Sequence, residues 1–268
     1  MMPLFYVLAV IVVGLGVLSL RNGLKFARYV RDETARPLPA FTPFVSVIAP
    51  CRGLDQGLTE NIAALFGQDY PSCEIVFVTD SSSDASLPLI EETIRGSSIP
   101  ARIVIAGEAV DSGQKVHNLR VAVAQVAPET EVLVFVDTDA RPQPNWLASL
   151  VSQLADERLG ATTGYRWFIP ETGGFASHLR SVWNASIASA LGERGDKNFC
   201  WGGSTAIRKS TFDELQIAER WRGTVSDDFT MTRVLQEANL PIRFVPACLV
   251  ASLDGCTFKE LLEFSNRQ

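Results

Sequence analysis

Hydrophobic and polar positions divide the chain into two unlike parts. Met1 to Leu20 carries no charged residue and is dominated by Leu, Val and Ile. About 20 such residues in a helix span the ~30 Å hydrocarbon core of a bilayer. The basic residues Arg21, Lys25, Arg28 and Arg31 follow this run rather than precede it. A cleaved signal peptide has the opposite order, with a basic start and a small-residue cleavage site. The pattern therefore predicts an uncleaved anchor over residues 1–22, then a basic juxtamembrane segment and linker over 23–43 containing Pro37, Pro39 and Pro43. The excess of basic residues after the span places the rest of the chain in the cytoplasm. Gly14-Leu15-Gly16 lies inside the apolar run with no strand before it, so it is not a dinucleotide fingerprint.

From Phe44 a different rhythm begins. Apolar, β-branched stretches at Phe44–Ala49, Glu74–Thr79, Arg102–Ile105 and Val132–Val136 read as strands. Between and after them, Leu58–Phe66, Leu87–Ile94, Val116–Val126 and Asn145–Leu154 have helical spacing. Strands alternating with helices predict a parallel, doubly wound sheet covered on both faces. Such sheets bind ligands outside the carboxyl ends of their strands, where Asp80 and Asp137 fall. The second half is less regular. Ala161–Phe168 reads as a strand, Cys200–Lys209 as a loop entering a strand, Phe229–Glu237 as a helix, Ile242–Val250 as a strand, and Phe258 onward as a helix. Gly174–Leu191 is a long apolar helix carrying Trp183, open to two readings, an interfacial helix or a core helix.

Composition narrows the function classes. The 268 residues, 47% apolar, suffice for a domain with a real core. A net charge of −6 excludes the basic footprint of a nucleic-acid binder. The five cysteines are scattered, with no paired-cysteine motif, which argues against structural zinc and for a reducing compartment.

Four stretches offer chemistry. "VFVDTDARP" ends a strand with Asp137 and Asp139, hard oxygen donors of the kind that hold Mg²⁺ or Mn²⁺ together with substrate phosphates; the alternative is an acidic turn paired with Arg141. Asp80 opens "DSSSD", either a turn and helix cap or an acceptor for a ligand N–H. "SGQKVHN" presents Lys115 and Asn118 without P-loop spacing; the alternative is a helix capped by Ser112 with a solvated lysine, and His117 reads as packing or surface. "VSDDFTMTRVLQ" places Asp227 and Asp228 at a helix start, as capping and dipole residues or as a general base facing the same cleft.

Taken in order, these blocks resemble the family 2 glycosyltransferases of GT-A fold, most closely the ceramide glucosyltransferase branch. "VSVIAPCRGLD", "DYPSCEIVFVTD", "GQKVHNL", "VFVDTDARP", "GGSTAIRK" and "DDFTMTRVL" carry the resemblance, which runs from Phe44 to the end. It implies an α/β GT-A domain over 44–268, with a mostly parallel central sheet, behind one transmembrane helix. It implies transfer of a sugar, with inversion, from a UDP-sugar such as UDP-glucose to the hydroxyl of a lipid such as ceramide. Asp137 and Asp139 match the positions that hold Mn²⁺ or Mg²⁺. Asp228 matches the base, and Asp80 the position beside the uracil. Pro50, Lys115, Asn118, Asp137, Gly202, Gly203 and Arg267 fall on the donor side. Arg267 fits the first position of the family's closing Arg/Gln-x-x-Arg-Trp motif, whose last two residues are absent after Gln268. The expectation is a catalytic domain truncated at its C-terminus, from a protein with further membrane spans.

Two other readings share these residues: a processive polysaccharide synthase, and a nucleotide-sugar-binding scaffold without catalysis. Asn184-Ala185-Ser186 is a glycosylation sequon that a lumenal domain would expose to modification.

Overall fold

The computed structural model describes residues 2–54, 57–171, 173–253 and 255–267. Strands β1 (Val45–Pro50), β2 (Cys73–Thr79), β3 (Ala101–Ile105), β4 (Val132–Phe135), β5 (Ala161–Phe168), β6 (Thr205–Arg208) and β7 (Ile242–Ser252) form one sheet in the order β3-β2-β1-β4-β6-β5-β7. Helices α2 (Leu58–Phe66), α3 (Leu87–Arg95), α4 (Gln114–Val123) and α5 (Trp146–Ser152) alternate with the first strands, as the periodicity predicts.

Neighbouring residues on each strand feed opposite faces, as the pleat requires. Val47, Ile75 and Val134 pack with Ile62 and Leu65 of α2 and with Trp146 and Leu150 of α5. Ile48, Val76 and Phe135 pack on the other face with Val116 and Leu119 of α4. That face is completed by Val234 and Leu235 of α9 (Asp227–Glu237). At the amino end of β2, Glu74 is 2% exposed. It accepts hydrogen bonds from Ser46 Oγ (2.7 Å) and Ala127 N–H (2.6 Å) and pairs with Arg102. It binds strands together far from the ends where ligands sit.

The sheet corrects the doubly wound expectation in one respect. β1 to β4 are mutually parallel, but β6 runs antiparallel to both β4 and β5. The pairing of Thr205 with Phe135 shows that β6 starts where β4 ends. The glycine loop before it is therefore delivered to the same edge as Asp137. Two short helices also escape the sequence pattern, α7 (Lys209–Glu214) and α8 (Ile217–Arg220), each too brief for a period to register. They seat Phe212, Ile217 and the following Trp221 in the core.

Helix α1 (Met2–Thr34) is unbroken, so the basic segment after residue 22 is helix rather than linker up to Thr34. Its apolar part faces outward on all sides, from Leu4 to Leu20. Its last turns dock on the edge strand β7. Tyr29 OH donates to Phe244 O at 2.9 Å, Glu33 pairs with Arg243 at 2.7 Å, and Phe26 stacks between Trp167 and Phe244. The structure closes with α6 (Phe175–Ala188) over the end of β5 and α10 (Phe258–Arg267) beside it.

Candidate active site

Pro50, Asp80 and Asp137 all stand at or just past the carboxyl ends of β1, β2 and β4. The order β2-β1-β4 places a topological switch here, where open α/β sheets take their ligands. Pro50 O accepts the Thr138 hydroxyl at 3.2 Å, and Asn61 donates to Thr138 O at 3.1 Å, so the Asp-Thr-Asp turn is fastened on both sides. Asp80 is half-buried, with Thr79 Oγ1 at 3.4 Å. Asp84 takes up the loop after β1 instead. It accepts the Gly53 N–H with both oxygens and also holds Ser86, and these bonds outweigh its desolvation and lower its pKa.

Lys115 reaches the site because α4 begins hard against the loop before α9. Gly113, not Ser112, is its N-cap residue. The Gly113 N–H donates to Thr224 O at 2.8 Å, and a Cβ there would lie 3.1 Å from Val225 Cα. Lys115 Nζ then sits 2.7 Å from Asp137 Oδ1 and 3.5 Å from Asp227 Oδ1, paired rather than solvated. Desolvation opposes its charge, but Asp137 and Asp227 prevail and raise its pKa. Asp137 is the mirror case: burial raises its pKa, and Lys115 and Arg166 more than reverse that. Asp227 is not rescued in full. Burial, with Asp228 and Asp137 adding to it against Lys115, pushes it up to about 6.

The glycine loop closes over this trio. A methyl on Gly202 would lie 2.5 Å from Asp227 Oδ2 and 2.9 Å from Lys115 Nζ. A Cβ on Gly203 would meet the Trp201 indole, which folds back over the loop. Asp228 is half-buried. Its Oδ1 accepts from Ser226 Oγ at 2.6 Å and Phe229 N–H at 2.8 Å, while its Oδ2 faces the Gly202 N–H at 3.4 Å. Ser226 caps α9 by accepting from Phe229 N–H. Asn118 is buried and accepts from Gln114 Nε2 at 2.7 Å, and Gln114 in turn holds Gly107 O and the Ala109 N–H. His117 is bonded to Ala106 O, a packing role. Arg267 ends α10, and its side chain lies outside the described residues.

The sequence reading missed Arg166. From β5 it pairs with Asp139 at 2.5 Å, lies over the Trp201 ring at 5.4 Å, and has its carbonyl held by Asn184 Nδ2 at 2.7 Å. A cation inside an apolar strand end was the available signal. Arg141, expected beside the acidic turn, instead donates to Asn61 Oδ1 and approaches Glu60. Each carboxylate of the turn therefore has its own protein cation, Lys115 for Asp137 and Arg166 for Asp139. Beyond Asp139 a cleft of about 560 Å³ opens, lined by Asn61, Arg141, Glu171, Ser252 and Leu253 among others.

The donor set fits a divalent ion in one way. Among the described residues no group of three or more His, Cys, Asp or Glu side chains stands ready to hold a metal. Asp137 and Asp139 supply hard carboxylate oxygens at one strand end, and an ion there would draw its other ligands from phosphates and water, as Mg²⁺ and Mn²⁺ commonly do.

A mixed sheet with carboxylates at the switch point and a glycine loop opposite them is the architecture of the GT-A glycosyltransferases. A mannosyltransferase from Pyrobaculum calidifontis, solved with GDP-Man and Mn²⁺, superposes with a TM-score of 0.59 at 19% identity, covering 86% of this chain and 64% of its own. S. aureus TarS with UDP-GlcNAc gives 0.52 at 18% identity, covering 79% and 58%. The chain belongs to glycosyl transferase family 21, whose model matches residues 4–267. It is 24% identical over 216 residues to ceramide glucosyltransferase 1 of Caenorhabditis elegans, covering 78% of this chain and 45% of that protein. It is 30% identical over 124 residues to the hyaluronan synthase of Streptococcus pyogenes, covering 45% and 29%. The chain thus spans less than half the length of these curated relatives.

Proposed function

We propose that the chain is the anchor (1–22) and GT-A domain (44–268) of a membrane glycosyltransferase. It moves a sugar, with inversion, from a UDP-sugar such as UDP-glucose to the hydroxyl of a lipid such as ceramide. The observation that carries the reading is the convergence of Lys115, Asp137, Asp227 and Asp228 under a glycine loop at the sheet's switch point. Family membership and the match to a ceramide glucosyltransferase support the lipid acceptor. The basic flank of α1 supports a cytoplasmic catalytic domain.

Each group then has a task. Asp80 accepts from the base of the donor, and Pro50 shapes the floor beneath it. Lys115 offers a fixed ammonium to the diphosphate as charge develops there. Asn118 acts indirectly, keeping Gln114 and the start of α4 in place. Gly202 and Gly203 leave room for the sugar and the acceptor. Arg267 is assigned to the donor side by the resemblance. Asp228 takes the proton as the acceptor oxygen bonds to the anomeric carbon and the bond to the diphosphate breaks. Its bonds from Ser226 and Phe229 occupy Oδ1, and Oδ2 points toward the loop at Gly202. Asp227, 7% exposed and closed in by Gly202, orients Lys115. Mn²⁺ or Mg²⁺ held by Asp137 and Asp139 would supply further positive charge opposite the leaving diphosphate.

The similarity to a hyaluronan synthase favours a second reading, a processive synthase. Membranes carrying the protein, given radiolabelled UDP-sugars and lipid extract, separate the two. Label in a single-sugar glycolipid is expected. Label only in long water-soluble polymer establishes the synthase, and label that never leaves the nucleotide overturns both.

A further inference from the structure

We propose that the apolar face shared by α6 and α10 rests on the bilayer that α1 enters, which sets the reaction centre about one helix thickness, ~10–12 Å, from the membrane surface. The proposal rests on the reading of α1 as a membrane anchor.

On α6, Phe175 and Val182 are each 69% exposed, Trp183 44% and Leu179 38%. Their spacing puts them on one side of the helix. On α10, Phe258 and Leu262 are 61% and 65% exposed, one turn apart. The Phe175 and Phe258 rings lie 6.3 Å apart, so the two helices present one surface. Contiguous apolar surface of this kind marks an interaction site.

The helix is not loosely placed. Its opposite side is buried, with Ser181 donating to Phe168 O and Asn184 to Arg166 O, each at 2.7 Å. The outward face is therefore a fixed property of the fold.

Position identifies the occupant. Phe26 of α1 follows Leu20 by about 9 Å of helical rise, at ~1.5 Å per residue. Phe26 stacks on Trp167, adjacent to Arg166, and shares a cluster with Ala188 and Ile187 at the end of α6. The apolar face thus begins beside the point where α1 leaves the membrane. Arg21 and Lys25 stand at that exit to meet anionic headgroups, and aromatic rings are favoured at the boundary. The buried side of α6 meets β5 at Arg166, where Asn184 holds the carbonyl, and the Arg166 guanidinium holds Asp139. The geometry favours an acceptor whose reactive hydroxyl lies close to its acyl chains.

The test uses the whole chain in phosphatidylcholine–phosphatidylserine vesicles, with Cys256→Ser removing the partly exposed thiol. Val182→Cys and Leu262→Cys are labelled with an environment-sensitive fluorophore, and Glu91→Cys on α3 serves as control. Brominated acyl chains should remove most of the emission at 182 and 262 and none at 91, with iodide giving the reverse. Iodide quenching at 182 and 262 equal to that at 91 overturns the proposal. So does protection from iodide without bromolipid quenching, which would mean a second copy or another protein covers the face. Alkaline carbonate extraction reads the anchor separately: release of the chain sinks both ideas, whereas a retained chain with a water-exposed Val182 label sinks this one alone.

Discussion

Lys115 Nζ lies 2.7 Å from Asp137 Oδ1 and, on its other side, 3.5 Å from Asp227 Oδ1. A single cation from α4 therefore joins the strand end that opens the acidic turn to the helix start that carries the proposed base. Without it, like charges face one another across a narrow space, and each raises the other's pKa.

Lys115→Gln should accordingly weaken both folding and donor binding. The lysine side chain is 37% exposed, so water screens part of the loss. The expected cost is about 1–3 kcal/mol of stability rather than the full penalty of a broken buried pair. Urea unfolding reads the first effect and calorimetry with UDP the second, where at least a tenfold loss of affinity is expected. Wild-type values in both would show that the contact has no consequence.

Gly202→Ala tests the closeness of the loop. The added methyl meets Asp227 Oδ2 at 2.5 Å and Lys115 Nζ at 2.9 Å, so one of the pair must shift. Overpacking of this sort typically costs about 1–3 kcal/mol. Turnover should fall further than stability, because the displaced groups belong to the site. Equal turnover in mutant and wild type would mean that the loop has slack.

Asp227 makes stability depend on pH in a defined direction. Burial pushes its pKa up to about 6, above the unfolded value of about 3.9. A raised carboxyl favours the folded state while protonated. That contribution is complete below about pH 4 and lost as pH rises through about 6, roughly 3 kcal/mol over the window at ~1.4 kcal/mol per pH unit. Wild type should therefore lose stability relative to Asp227→Asn between pH 4 and pH 8. A parallel pair of stability curves contradicts this.

Asp228→Asn should leave the fold and UDP affinity near wild type, because an amide oxygen can still accept the Phe229 N–H while Ser226 keeps its cap on α9. Turnover should drop by about a hundred- to ten-thousand-fold, the usual contribution of a general base. If Asp227→Asn causes that drop while Asp228→Asn does not, the base has been assigned to the wrong carboxylate.

Chelation addresses the acidic turn. Calorimetry with UDP should show binding that needs Mn²⁺ or Mg²⁺ and is abolished by EDTA, and Asp139→Ala should remove the metal dependence. Binding of the same strength in EDTA would leave Lys115 and Arg166 as the sole counter-charges of the turn.

The first half of the fold was legible because each strand there is a short apolar run and each helix keeps its period. Leu58–Phe66 matches the expected bounds residue for residue, and in the less regular second half Ala161–Phe168 does so too. Strand direction was not legible: nothing in "STAIRK" distinguishes a strand that starts at the site from one that ends there. The extent of α1 was hidden because basic residues and apolar residues are equally at home in a helix. For the site, carboxylates at strand ends announced themselves, but their partners did not. Lys115 and Arg166 lie 22 and 27 positions from the aspartates they meet, and only packing brings them together. Asn184 shows the opposite error. Its sequon is plain in the sequence, yet the side chain is 2% exposed and bonded to Arg166 O. Its modification state in the folded protein therefore says nothing of which side of a membrane the domain occupies.

The seam between α1 and β7 has a mechanical consequence. A domain hung on a flexible leash would tumble, turning its mouth toward the bilayer only part of the time. On the proposed anchor reading, a single rod would run through the lipid, keyed to the sheet by Tyr29, Phe26 and Glu33. Such a rod would drift and spin in the plane of the membrane, and the mouth would turn with it at a constant height and tilt. Search for the proposed lipid acceptor would then become a problem in two dimensions, with the alignment step already settled when the chain folds.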